Sequence, residues 1–286
     1  WTPATSQGEG LPVLVYFYGG GNIAGDSSEP RYDGEALARR GLVTVTANYR
    51  LHIFGFLAHP ELTAESPRHA SGSYGYLDQV AALAWVRENI AAFGGDPDRI
   101  TIGGESAGSI SVSVLMCSPL AREMIAGAIG ESGAGLPPTL APQPLQEAER
   151  QGIELARAIG APTLAELRAM PAQELLEKAN AQSPGAWAGT VDGYLLNKPP
   201  VEVLEVGEQA HVPLLVGWNS EEMSYLALLG DRPVTPEGYA EAVRERFGPH
   251  AEEILKLYPA STPEEVMTSG TALAGDAFIA FSTWKW

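Results

Sequence analysis

The chain contains one arrangement with clear chemical potential, Gly104-Glu105-Ser106-Ala107-Gly108, a G-x-S-x-G. A serine hydroxyl is a poor nucleophile until a base removes its proton and a carboxylate orients that base. Position matters as much as residue type. Arg99 to Ile102 reads as the end of a short apolar strand, and Ala107 to Met116 as the start of a helix of small residues. A sharp strand-to-helix turn leaves the hydroxyl standing clear of the sheet, and the flanking glycines avoid collisions with the adjoining backbones. The next backbone N–H lies at a helix N-terminus, where the dipole favours a developing oxyanion. The chemistry this suggests is acyl transfer.

Two other stretches fit the same chemistry. Tyr18-Gly19-Gly20-Gly21-Asn22 follows an apolar run, Leu11 to Tyr18, and could bring backbone N–H groups close to a ligand. It carries neither G-x-G-x-x-G nor a P-loop lysine, which argues against a nucleotide cradle. Gly20, Gly21 and Ala107 are the candidate oxyanion donors. Glu221 and Glu222 follow the run Val212 to Trp218, where a triad acid belongs if the order is serine, acid, histidine. Of the five histidines, His52, His59, His69 and His211 precede these glutamates and only His250 follows them. Each reads as a surface or loop residue. Cys117, the single cysteine, reads as a buried apolar filler, and no metal-ligand spacing occurs.

The elements that must position these residues alternate. Leu11–Tyr18, Leu42–Asn48, Arg99–Ile102 and Ile125–Gly130 read as buried strands; Asp33–Arg40 and Leu77–Phe93 read as helices, the second stopped by Gly94-Gly95-Asp96-Pro97. Buried strands alternating with helices indicate an α/β fold, a mostly parallel sheet with helices on both faces. After Gly135 a cluster of prolines breaks the pattern, and Leu145–Ile159, Leu164–Met170 and Gln173–Asn180 read as helices. Residues 137–210 are therefore expected to form a helical cap inserted over the sheet. Pro236–Phe247 and Ala251–Tyr258 are again helical. The 286 residues are 45% hydrophobic and 19% charged, as in globular proteins. A formal net charge of −17 argues against nucleic-acid partners, and no apolar run reaches the roughly 18–20 residues of a membrane span. The N-terminus shows no signal-peptide pattern, and nothing assigns a compartment.

With these residues in place the chain resembles the type-B carboxylesterase family, which includes cholinesterases and bacterial p-nitrobenzyl-type esterases. The resemblance runs through Val13–Gly21, Asn48-Tyr49-Arg50-Leu51, Phe54-Gly55-Phe56-Leu57, Gly75-Tyr76-Leu77-Asp78-Gln79, Ala91–Pro97, Gly104–Gly108 and Glu131-Ser132-Gly133. It continues more thinly through Val191-Asp192-Gly193 and Gly217–Glu222. It implies an α/β-hydrolase fold and hydrolysis of a small-molecule ester without cofactor or metal. It also implies acylation of Ser106 and oxyanion donors at Gly20, Gly21 and Ala107. Glu222 matches the family's acid, with Met223 in place of the usual glycine; Glu221 is the alternative. Tyr18 stands where many members have histidine. Asn22 replaces a usual aromatic residue, and His52 and Ser73 replace the usual Gly and Asn. Arg50, Asp78, Asp96 and Asp192 read as loop-fixing residues, Glu105 as a support for the turn, and Ser132 as part of a nearby polar network. Trp187, Trp218 and Tyr225 read as aromatic core.

One family feature is missing: the H-G-x-E-type loop that carries the catalytic histidine. Both chain ends also resemble internal family segments. The expectation is a single α/β-hydrolase domain over residues 1–286, incomplete at both ends, with the base outside it. The alternative is a non-catalytic cholinesterase-like binding or adhesion module.

Overall fold

The structure, a computed structural model, describes residues 1–183 and 185–286. They form two compact units, Trp1–Val216 together with Trp286, and Gly217–Lys285.

The first unit is built on a five-stranded sheet. In chain order its strands are β1 (Leu11–Phe17), β2 (Val43–Thr46), β3 (Gly95–Glu105), β4 (Gly127–Glu131) and β5 (Leu214–Gly217), arranged in the sheet as β2-β1-β3-β4-β5. The β1–β2, β1–β3 and β3–β4 pairs are parallel, with Val13 opposite Val43 and Ile100, and Gly104 opposite Gly130. Strand periodicity sends Val13, Val15 and Phe17 to one face, where they pack with Ile100, Ile102 and two helices. Those helices are α1 (Tyr74–Asn89), which contributes Leu83 and Val86, and α2 (Ala107–Cys117), which contributes Val112 and Leu115. Every residue of α2 is buried, which accounts for its small and apolar composition. The other face is less fully covered than the apolar run suggests. Leu14, Tyr16 and Thr44 floor an open depression of about 380 Å³, rimmed by Tyr32, Leu37 and Glu105.

Two boundaries differ from expectation for identifiable reasons. Helix α1 starts at Tyr74 rather than Leu77, and Ser73 does not cap it, because its Oγ accepts from the Thr190 N–H at 2.9 Å. The helix tightens to a 3₁₀ turn over Ile90–Phe93 and stops at Gly94, φ 83°. Strand β3 begins at Gly95, four residues early, with a register irregularity opposite Leu11–Val13 where Asp96-Pro97 enters the strand.

The region expected to be helical contains α3 (Leu145–Ala158) and the helices Leu164–Ala169, Ala172–Gln182 and Pro200–Glu205. Thr163 and Glu166 form a reciprocal capping box. Ala156, Leu167, Leu175 and Ala179 pack on Ile53 and Leu57 of the short helix His52–Phe56 and its exit, a segment that reads as loop in the sequence. Pro60–Glu65 is likewise helical, with His59 as N-cap. The second unit is helical: Leu226–Leu229, Pro236–Phe247, Ala251–Leu257, Pro263–Gly275, a π-helical turn Asp276–Ala280 and Phe281–Lys285. Its core is Leu228, Leu229, Tyr239, Val243, Val266 and Leu273. The Tyr258 hydroxyl donates to Asp276 Oδ2 at 2.6 Å, and burial, more than that carboxylate, raises the phenol to about 12.

One very close backbone crossing in the first unit is between β1 and α2. A Cβ on Gly108 would lie 2.0 Å from the Phe17 carbonyl oxygen, whereas one on Gly217 would meet nothing within 4 Å. Gly108→Ala is expected to destabilise the fold by about 1–3 kcal/mol or more through backbone displacement. Gly217→Ala should be close to neutral, as measured by urea denaturation of both variants.

Candidate active site

Ser106 occupies the turn between β3 and α2 with φ 56° and ψ −121°, a conformation that a non-glycine residue holds only under constraint. Its N–H donates to the Glu131 carbonyl at the end of β4, 2.9 Å, and its own carbonyl accepts from Ile110 N–H at 3.0 Å to begin the helix. The neighbouring strand end repeats the strain, with Ser132 at φ 56°. Ser109 Oγ donates to the Gly133 carbonyl, and Gly135 N–H donates to Ser113 Oγ at 2.7 Å, so α2 is bolted to the loop after β4. The side chain of Ser106 sits at the head of this buried helix, where Ala107 N–H is one of the donors without an intrahelical acceptor.

The glycine loop lies directly against this turn. Its root is Tyr18, 2% exposed and stacked on Tyr49 at 4.4 Å between ring centroids. The Tyr49 hydroxyl donates to the Tyr18 carbonyl at 2.7 Å, and the Tyr18 hydroxyl donates to the Tyr49 carbonyl at 3.3 Å. Beyond it the chain passes so close to Ser106 that a Cβ on Gly19 would be 2.7 Å from the Glu105 carbonyl oxygen and 3.1 Å from Ser106 Cβ. Gly20, Gly21 and Asn22 then have φ 108°, 63° and 60° in succession. All three carbonyls are bonded into the scaffold. That of Gly20 accepts from Ile23 and Ala24, that of Gly21 from Trp187 N–H at 3.0 Å, and that of Asn22 from His52 N–H at 2.6 Å. The structure thus brings the start of the glycine loop, at Gly19, against Ser106, with Gly20 and Gly21 following it in the chain. Glu222 belongs to the second unit, where its Oε1 accepts from Asn219 N–H at 2.6 Å.

Arg50, Asp78, Asp96 and Asp192 make bonds within and between loops. Arg50 makes a bidentate pair with Asp78, 2.8 Å on both arms, and donates its backbone N–H to the same carboxylate. This pair is partly exposed rather than buried. Asp192 Oδ1 accepts from the backbone of Tyr194, Leu195 and Leu196. Its burial pushes the carboxyl upward, against the pull of those N–H groups. Asp96 Oδ1 accepts from Asp98 N–H at 2.9 Å. Glu105 borders the depression on the open sheet face; burial, then the Glu131 and Glu105 charges, push the Tyr16 phenol well above its usual range.

Two histidines depart from the reading as surface or loop residues. His52 is 3% exposed with φ 54°, its ring 5.0 Å from that of Trp187 and neither ring nitrogen hydrogen-bonded among the described residues. Burial lowers its pKa below the usual value; the Asn180 amide opposes that shift without reaching hydrogen-bond geometry. His59 is also buried and caps a helix by accepting from Glu61 N–H at Nδ1, 3.2 Å. His69, His211 and His250 are exposed. Trp187 is partly buried against two core clusters and lines a cavity of about 400 Å³, while Trp218 is exposed. Sequence reasoning missed the tie between Asn22, His52 and Trp187. Its visible signal was that Asn22 and His52 are both departures from the family pattern. Among the described residues, no cluster of three His, Cys, Asp or Glu is arranged to hold a metal ion, and no helix is long and apolar enough to cross a membrane.

A parallel α/β sheet with a strained serine turn and a glycine loop against it defines the α/β-hydrolase fold. The carboxylesterase family profile matches residues 1–260. The chain is 40% identical to a fumonisin B1 esterase of Sphingopyxis macrogoltabida over 97% of its length and 51% of that protein's. It is 36% identical to a para-nitrobenzyl esterase of Bacillus subtilis over 90% of its length and 53% of that protein's. A solved carboxylesterase of Geobacillus stearothermophilus superimposes with a TM-score of 0.84 at 34% identity, covering 100% of this chain and 60% of that one. The chain belongs to the carboxylesterase family. It spans about half the length of the curated relatives it matches.

His52 carries a pH dependence with a defined sign. Its folded pKa lies below the unfolded value of about 6.5, so the unfolded state binds the extra proton. The stability tied to the neutral ring is complete above that value and is lost as pH falls towards the folded pKa. His52→Asn, which tolerates the left-handed backbone, should therefore shrink the drop in urea midpoint between about pH 7.5 and about pH 5.5. An unchanged drop would remove His52 as its source.

Proposed function

We propose that the protein carrying this chain hydrolyses small-molecule carboxylic esters through an acyl-enzyme on Ser106. The observation that carries the reading is the strained backbone of Ser106 at the head of the buried helix α2, with the glycine loop packed against it. A serine held in that conformation has its hydroxyl presented and an N-terminal helix dipole beneath the attacking site. Ser106 Oγ attacks the ester carbonyl, forming a C–O bond while its proton passes to a histidine. The backbone N–H groups of Gly20, Gly21 and Ala107 hold the oxyanion. Collapse of the tetrahedral intermediate expels the alcohol, which takes the proton from the imidazolium. Water then attacks the acyl-enzyme by the same route, releasing the acid and restoring Ser106. Glu222 orients the histidine, which we assign to a part of the protein outside these 286 residues. The span of about half the relatives' length supports that assignment, as do the burial of His52 and the capping role of His59. The relatives' names, fumonisin B1 esterase and para-nitrobenzyl esterase, support an ester substrate without choosing between acyl or alcohol groups.

Retention of the serine, its turn and the glycine loop favours the enzyme over an adhesion module of the same fold. In the protein that carries this chain, Ser106→Ala should lower hydrolysis of short p-nitrophenyl esters by about 1,000-fold or more. A fluorophosphonate should label Ser106 stoichiometrically, as read by mass spectrometry. Full activity in the variant would overturn the assignment.

A further inference from the structure

We infer that Asn22 is a positioning residue for the oxyanion donors, acting through its side-chain amide on the segment that begins at Ala186. The inference rests on the proposed oxyanion role of Gly20 and Gly21 and deepens it. Asn22 is fully buried and holds φ 60°, a conformation asparagine tolerates better than most residues but one that still needs external restraint. The restraint is a closed set of three bonds. Asn22 Nδ2 donates to the Trp187 carbonyl at 2.7 Å, Trp187 N–H donates back to the Gly21 carbonyl at 3.0 Å, and His52 N–H donates to the Asn22 carbonyl at 2.6 Å. His52 is itself left-handed at φ 54°, so two strained non-glycine residues hold one another.

The segment at the other end of these bonds is itself hydrogen-bonded to the first unit. Thr190 N–H donates to Ser73 Oγ at 2.9 Å, Thr190 Oγ1 donates to the Ser71 carbonyl at 2.6 Å, and Gln143 N–H donates to the Gly189 carbonyl at 3.0 Å. A Cβ on Gly21 would come within 3.1 Å of Ala186 Cβ, which fixes how near the loop lies to that segment. The root of the loop is clamped separately by the stacked Tyr18–Tyr49 pair. Between these two anchors the peptide planes of Gly20 and Gly21 have no side chain of their own to orient them. Their direction is set by what their carbonyls and the next residue are tied to, and Asn22 supplies the side-chain tie. An oxyanion donor is effective only when its direction is settled before charge develops, so a loosened tie reduces turnover more than substrate binding.

The experiment compares Asn22→Gly and Asn22→Asp with the unaltered protein and Ser106→Ala. Glycine keeps the left-handed backbone and removes the amide. Aspartate keeps the shape but sets a carboxylate against the Trp187 carbonyl. Both variants should lose kcat by about 10- to 100-fold with KM changed less than about threefold. In Asn22→Gly, hydrogen exchange should quicken at residues 20–22 and stay unchanged in α2. If Ser106→Ala is inactive while Asn22→Gly keeps full kcat and unaltered exchange, this inference alone is overturned. Loss of activity with faster exchange throughout the first unit would make Asn22 a general stabiliser and also overturn it. Full activity in Ser106→Ala would overturn the oxyanion reading and this inference with it.

Discussion

The site depends on one backbone crossing. The carbonyl end of β1 runs into the start of α2, and Gly104 and Gly108 leave room there for hydrogen and nothing larger. That approach keeps α2 pressed on the sheet, which buries its whole length and aims its N-terminus at the turn. It also brings the segment after β1 alongside the segment after β3, since Phe17 is opposite Gly104 in the sheet register. The serine turn and the glycine loop are neighbours for this reason. They are continuations of adjacent parallel strands, both leaving the same edge of the sheet, where ligands of open α/β folds bind.

Around that crossing the architecture separates strain from stability. Of the six described non-glycine residues with positive φ, two are His69 and Leu140, and the other four, Ser106, Asn22, His52 and Ser132, lie in or beside the candidate site. The elements that constrain them are ordinary: a packed apolar core of valine, isoleucine and leucine, a stacked tyrosine pair and hydroxyl-to-backbone bonds from α2. Residues with charge in the matching motifs, Arg50, Asp78 and Asp192, work on this scaffold by organising loops.

Much of this was legible in the sequence because its signals are local. Buried parallel strands are continuous apolar runs, glycine marks close backbone approach, and the strand–G-x-S-x-G–helix succession has a narrow physical meaning. The helix Pro263–Gly275 was also locally signalled, by Thr262-Pro263-Glu264-Glu265, whose threonine hydroxyl accepts from Glu265 N–H at 3.2 Å. It was nonetheless not anticipated. What sequence could not give was set by distant partners. Nothing near His52 announces that it will be buried under Trp187, and the helix it begins exists because α3 and its neighbours cover Ile53 and Leu57. Ser73 has the residue type of a helix cap, yet a contact with Thr190 claims its hydroxyl. Local grammar identified the serine and the glycines, and long-range packing decided which side chains stand behind them.

The sheet order has a consequence for synthesis on the ribosome. β1 is an interior strand: Val13 finds Val43 soon after it is made, but its other neighbour, Ile100, is translated only after α1 is complete. Until then one edge of a strongly apolar strand remains unpaired, available to another nascent chain as readily as to its own β3. The residues that close this edge are the same ones that carry Ser106 out of the sheet. Pairing of β3 therefore closes that edge and sets the strand that leads into Ser106, while the turn itself waits for β4, whose Glu131 carbonyl accepts from Ser106 N–H.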